Sequence, residues 1–116
     1  MKNYPIVLAL VMLLGACAPP KPQPKTVTLD YYFNHEFQKG PDGAMHRFHY
    51  TGEDTTYNGF SKLGDIFRAN GAVTDTLGDP PTATSLKHSD IYIIVDPDTK
   101  AETPDPHFIS PDDVKA

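Results

Sequence analysis

The sequence predicts an α/β domain whose core is a doubly wound parallel sheet, with only the N-terminal half of that sheet present. Three observations predict it. Strand-like and helix-like patterns alternate from Val27 onward. Residues 91–95, Ile-Tyr-Ile-Ile-Val, are a continuous apolar run of the type that parallel sheets bury on both faces. Residues 110–116 open like a helix, with a capping serine, a proline at the first helical position and two acids in the first turn, and there the sequence stops. A three-stranded parallel sheet with a helix on one side leaves its other face bare. The expectation is therefore the leading fragment of a longer chain.

Residues 1–16 are expected to be a signal peptide and residues 17–26 a tether. Lys2 supplies a positive start, and residues 6–14 are unbroken and apolar. That run is too short to span a bilayer, which takes roughly 20 apolar residues. Leu14, Gly15 and Ala16 then lead into Cys17, the only cysteine. This order resembles the lipobox of bacterial lipoproteins, in which a peptidase cuts before a cysteine already carrying a diacylglycerol. Lipidation of Cys17 accounts for both its position and its solitude. Ala18, in place of an aspartate, favours delivery to the outer membrane by the sorting habit of Gram-negative lipoproteins. Pro19, Pro20, Pro22 and Pro24 make the following segment stiff and extended. Cleavage removes Lys2 and leaves nine basic against fifteen acidic residues, a formal charge of −6 where the full chain carries −5. Such a surface suits neither nucleic acid nor anionic lipid, so the membrane partner is held through acyl chains.

The folded part is expected over residues 27–116. Val27, Leu29, Tyr31 and Phe33 alternate on one face of a first strand. Residues 34–58 are long and polar, with turns at Gly40-Pro41-Asp42-Gly43 and Thr51-Gly52-Glu53-Asp54. A helix fits residues 58–70, capped by Asn58, striped by Phe60, Leu63, Ile66 and Phe67, and stopped by a left-handed Gly71. Residues 72–77 form a weaker strand whose interior Asp75 suggests a sheet edge. A helical turn is placed at residues 82–87, and the apolar run at 91–95 is the third strand.

Chemistry-bearing constellations are few. His35-Glu36 begins like a zincin motif, but Lys39 stands where the second histidine belongs. His46 and His49, with His35 and Glu36 nearby in sequence, would hold a metal only by converging, and scattered loop histidines are much the commoner case, so no metal or other cofactor is expected. Cys17 is unavailable as a nucleophile, and no Gly-x-Ser-x-Gly elbow or phosphate loop occurs. One geometric argument remains. Ligands of open α/β sheets settle outside the carboxyl ends of strands where strand order reverses. If the first and third strands are neighbours, Asn34, His35 and Glu36 face Asp96 and Asp98 across that crevice, a set suited to sugar hydroxyls. The competing account is that Asp96-Pro97-Asp98 is simply a turn with solvated acids.

Several segments resemble a known family: Tyr31-Tyr32-Phe33-Asn34-His35-Glu36, Lys39-Gly40-Pro41-Asp42-Gly43, Met45-His46-Arg47-Phe48-His49-Tyr50-Thr51, Gly59-Phe60-Ser61, Ile66-Phe67-Arg68-Ala69-Asn70-Gly71-Ala72, Pro81-Thr82-Ala83 and the stretch from Ile91 to Thr99. Together they are similar to an uncharacterised domain of Bacteroidota, shaped like class I glutamine amidotransferases. That domain occurs alone or joined to unsaturated rhamnogalacturonyl hydrolases. The resemblance implies a flavodoxin-like sheet and a lipid-anchored, non-catalytic accessory role in pectin degradation, with pectin-derived oligosaccharide or a glycoside hydrolase domain as partner. Two alternatives stand beside it: the leading fragment of such a hydrolase, and a structural or partner-binding lipoprotein.

Overall fold

The computed structural model describes residues 21–57, 59–103 and 105–115. The expected signal peptide, Cys17 and the Asn58 cap lie outside these residues. Along the chain run β1 (Thr26–Asp30), β2 (Phe37–Lys39), β3 (Met45–Arg47), α1 (Ser61–Ala69), β4 (Val73–Leu77), β5 (Ile91–Ile93) and a closing 3-10 turn, Asp113–Lys115. Among the described residues no helix is long and apolar enough to cross a membrane.

β1 is the centre of a three-stranded sheet of order β4-β1-β5. Both pairings are parallel, with Leu29 opposite Thr76 on one side and Ile93 on the other. The described residues are thus mixed α/β with a small parallel sheet and one α-helix. Strand order reverses beside β1, because the second strand pairs on one flank and the third on the other.

The strand buried on both faces is β1 rather than the apolar run at 91–95. Val27, Thr28, Leu29 and Asp30 are all buried. Their two polar members are matched: Thr28 shares a 2.6 Å hydrogen bond with Ser89, and Asp30 accepts from the Phe33 N–H at 2.9 Å and from the Tyr92 hydroxyl. β5 is shorter than expected and lies at an edge, so Ile91 and Ile94 remain exposed. Hydrophobicity alone marked the wrong strand as buried on both faces, because side-chain partners let a polar alternation enter the core.

β4 holds the edge position that its interior Asp75 suggested. The helix begins at Ser61, three residues later than expected, with no side-chain cap. Loop carbonyls do the capping instead: Thr51 accepts from Phe60 N–H at 3.0 Å and Asp54 from Ser61 N–H at 3.2 Å. That loop lies so close that a side chain at Gly59 would run into the Asp54 carbonyl. Phe60, Leu63 and Phe67 face the sheet, whereas Ile66 points outward and is exposed. Gly71 ends the helix at φ +83°, as its position suggested.

The long polar segment after β1 is an antiparallel hairpin, with Gln38 opposite His46. Its turn closes with Gly40 N–H to Ala44 carbonyl at 2.8 Å, and Gly43 takes φ +79°. Tyr31 anchors its base. The Tyr31 hydroxyl donates to the Glu36 carbonyl and accepts from Phe48 N–H at 3.1 Å, while Arg47 lies 4.6 Å from the centre of its ring. Thr82 and Ser85 cap one another in the expected turn, and Ser110 and Asp113 make a reciprocal cap at the closing 3-10 turn.

The entry to β1 is clamped by Asp90. Its carboxylate accepts from Lys25 Nζ at 2.6 Å and from Thr26 N–H at 2.9 Å, and these bonds hold it below the usual carboxylate range. A depressed acid stabilises the fold above its unfolded value of 3.8 and loses that contribution as pH falls through its lowered folded value. Asp90→Asn is expected to speed amide exchange at Thr26 at neutral pH. The difference from wild type should close in strong acid. Equal exchange rates at pH 7 would show that the clamp does not hold the strand.

Candidate functional site

The parallel pairing of β1 with β5 puts the segments that follow them side by side at the carboxyl edge. The two segments are stitched together. Asp98 N–H donates to the Phe33 carbonyl at 2.7 Å, and Asn34 Nδ2 donates to the Asp96 carbonyl at 3.1 Å. Residues 95–98 bend at Asp96, and that bend is also one wall of the assembly.

Of the five residues singled out in the sequence, three form its interior. Asn34 and Asp98 are buried, and His35 reaches Asp98 with Nδ1 2.7 Å from Oδ2. This is a close ion-pair contact rather than an aligned hydrogen bond. The His35 backbone N–H makes a long 3.4 Å bond to the same oxygen. Three buried polar atoms here lack a hydrogen-bond partner: Asn34 Oδ1, His35 Nδ1 and Asp98 Oδ1. The carboxylates of Glu36 and Asp96 turn elsewhere. Glu36 Oε2 meets His49 Nδ1 at 2.9 Å, and Asp96 Oδ2 accepts from the Tyr50 hydroxyl at 3.0 Å.

Four further residues complete the surroundings. His107 stacks on His35 at 4.1 Å between ring centres and on Tyr32 at 4.0 Å, with its Nδ1 2.6 Å from the Tyr32 carbonyl. Tyr32, His35 and His107 make a half-exposed ring stack at the lip. His49 and Tyr50 arrive from the far side of the hairpin. The hydrogen bond to Asp96 holds the Tyr50 phenol above its ordinary value, and the nearby Glu36 and Glu102 charges add to the rise. His49, Tyr50 and Asp96 all take positive φ, 58°, 46° and 45°. Asp and His are tolerated there, but a tyrosine is a steric outlier. His107 carries no periodic signal in the sequence, and no local pattern tied His49 and Tyr50 to the sheet edge.

A separate cavity of about 510 Å³ lies on the sheet face under α1, lined by Val27, Leu29, Phe60, Leu63, Phe67 and Ile93 among others. It is apart from the carboxyl edge. Among the described residues, no three His, Cys, Asp or Glu side chains converge as a metal site would require. No family model, curated protein or solved structure matches this chain.

Proposed function

We propose that this chain is a lipid-anchored, non-catalytic domain of a pectin-degradation system that binds rhamnogalacturonan-derived oligosaccharide at the carboxyl edge of its sheet. The observation that carries the reading is the strand order β4-β1-β5, which reverses beside β1 and brings the residues after β1 and β5 into contact. Ligands of open α/β sheets settle at that reversal. The same order opens a flavodoxin-like sheet, and we assign the domain to that architecture. The lip offers what a sugar uses: the exposed Asp96 carboxylate, the half-exposed Glu36, His49 and Tyr50, and the ring stack of Tyr32, His35 and His107.

Geometry argues against hydrolysis. Glycosidases need two carboxyl groups facing the scissile bond from opposite sides. Asp98 has a side chain only 1 % exposed and held against His35, and Asp96 is bonded to Tyr50. Lipid attachment rests on the Leu14-Gly15-Ala16-Cys17 pattern, and outer-membrane delivery on Ala18. In a Gram-negative host globomycin should then hold an acylated precursor, and Cys17→Ala should abolish acylation. A soluble, unacylated wild-type product would defeat the anchoring claim. For the binding claim, NMR titration with unsaturated rhamnogalacturonan fragments should move signals of Tyr32, His35, Asp96 and His107. His107→Ala should weaken binding by about tenfold, the worth of one ring stack. Signals that do not move, or binding that survives His107→Ala and Asp96→Ala together, would remove the carbohydrate reading.

A further inference from the structure

We infer that the lip takes a rhamnogalacturonan fragment by its neutral rhamnose residue and excludes the uronate, through the carboxylates of Asp96 and Glu36. The inference rests on the carbohydrate reading and names which sugar of the fragment the site accepts. Such a fragment offers two kinds of ring: rhamnose, a neutral 6-deoxysugar with a methyl group, and a uronate, charged at neutral pH. Tyr50 marks where the acids of the lip gather. Its hydroxyl is 3.0 Å from Asp96 Oδ2, and the charges of Glu36 and Glu102 bear on it as well. Asp96 is exposed and Glu36 half-exposed, so both are open to a ligand. Glu102 accepts from the Thr99 N–H at 2.9 Å and the Thr99 hydroxyl at 2.6 Å, and these bonds hold it below the usual carboxylate range.

No ammonium or guanidinium answers these acids. Among the described residues, none of the three forms an ion pair with a lysine or arginine. Arg47, on the hairpin, lies over the Tyr31 ring. The imidazoles are engaged as well: His49 with Glu36, His35 with Asp98, and His107 Nδ1 with the Tyr32 carbonyl. A uronate seated here would lie beside like charge with no cation to receive it, and like-charge contact is how interfaces turn wrong partners away. A neutral sugar meets no such barrier. Its hydroxyls donate to Asp96 and Glu36, which as ionised carboxylates only accept. The methyl group and C–H face of rhamnose find apolar carbon on the Tyr32, His35 and His107 rings.

The test titrates the full chain carrying Cys17→Ser at pH 7 and follows the NMR signals of Tyr32 and His107. Three probes are used: methyl rhamnoside, methyl galacturonide, and the methyl ester of that galacturonide, which differs from it only by the lost charge. The rhamnoside and the ester should bind alike, and the charged uronide about tenfold more weakly. Raising salt from about 0.01 M to about 0.15 M shortens the Debye length from about 30 Å to about 8 Å, so the gap should narrow. Asp96→Asn combined with Glu36→Gln should close it to within about twofold. Asp65→Asn, which removes a charge paired with Arg68 on α1, should leave it unchanged. If the double variant fails to fold, Asp96→Asn decides alone, because asparagine tolerates the φ of 45° found there. A uronide bound as tightly as its ester or as the rhamnoside overturns this inference and leaves the carbohydrate reading standing. So does a gap that survives the carboxylate variants, or one that Asp65→Asn erases. Signals unmoved by all three probes overturn both.

Discussion

Phe33→Ala is expected to cost about 3–5 kcal/mol, the usual range for emptying a buried aromatic site. Phe33 is the most deeply buried large side chain described, with 0 % exposure. Its ring meets Tyr32 edge-on at 5.2 Å. Its backbone is committed as well: the N–H donates to Asp30 and the carbonyl accepts from Asp98. Domains of this size are stable by about 5–15 kcal/mol, so the loss is a large share of the whole. Urea denaturation should show a lower midpoint for Phe33→Ala, with Phe33→Leu in between. Because the Phe33 carbonyl anchors Asp98, amide exchange at Asp98 should quicken in step. A cost below about 1 kcal/mol would mean that the ring fills no core.

That residue also shows why the fold was partly legible in the sequence. Val27, Leu29, Tyr31 and Phe33 alternate, and all four are buried. Gly71, the edge position of β4, the Thr82–Ser85 turn and the Ser110 cap each follow from a local rule that needs no tertiary information. The failures share a cause. The burial of β1 on both faces depends on Ser89 and Tyr92 reaching across about sixty residues to satisfy Thr28 and Asp30, and no window of sequence contains that distance. The late start of α1 has the same origin, because its orphan N–H groups are met by carbonyls of Thr51 and Asp54. At the candidate site, Asn34, His35 and Asp98 were legible because the carboxyl-edge rule converts strand order into proximity. His107 was not, because it reaches Tyr32 and His35 by a long-range stack that has no period in the sequence.

Asp30→Ala is the other substitution expected to hurt most, and the cause is unmade hydrogen bonds more than lost volume. Asp30 is buried and receives two donors, Phe33 N–H on Oδ2 and the Tyr92 hydroxyl on Oδ1. Alanine strands both, at about 1–3 kcal/mol for each buried donor left unmade. Asp30→Asn keeps the shape and should cost less, and Tyr92→Phe removes only one bond. A double-mutant cycle between Asp30→Asn and Tyr92→Phe should show coupling, because the two residues are in direct contact. Burial first, and then the hydrogen bond to Asp30, push the Tyr92 hydroxyl well above its ordinary 10.0. A raised group stabilises the fold fully below its unfolded value and loses that contribution as pH climbs toward the folded one. Stability should therefore hold to about pH 10 and decline above it. Tyr31 and Tyr50 are also raised and bend the curve the same way. The part owed to Tyr92 is the difference between wild type and Tyr92→Phe, which should narrow steadily from pH 10 upward. Parallel curves for the two proteins through that range would show that the Tyr92 proton is not held by Asp30.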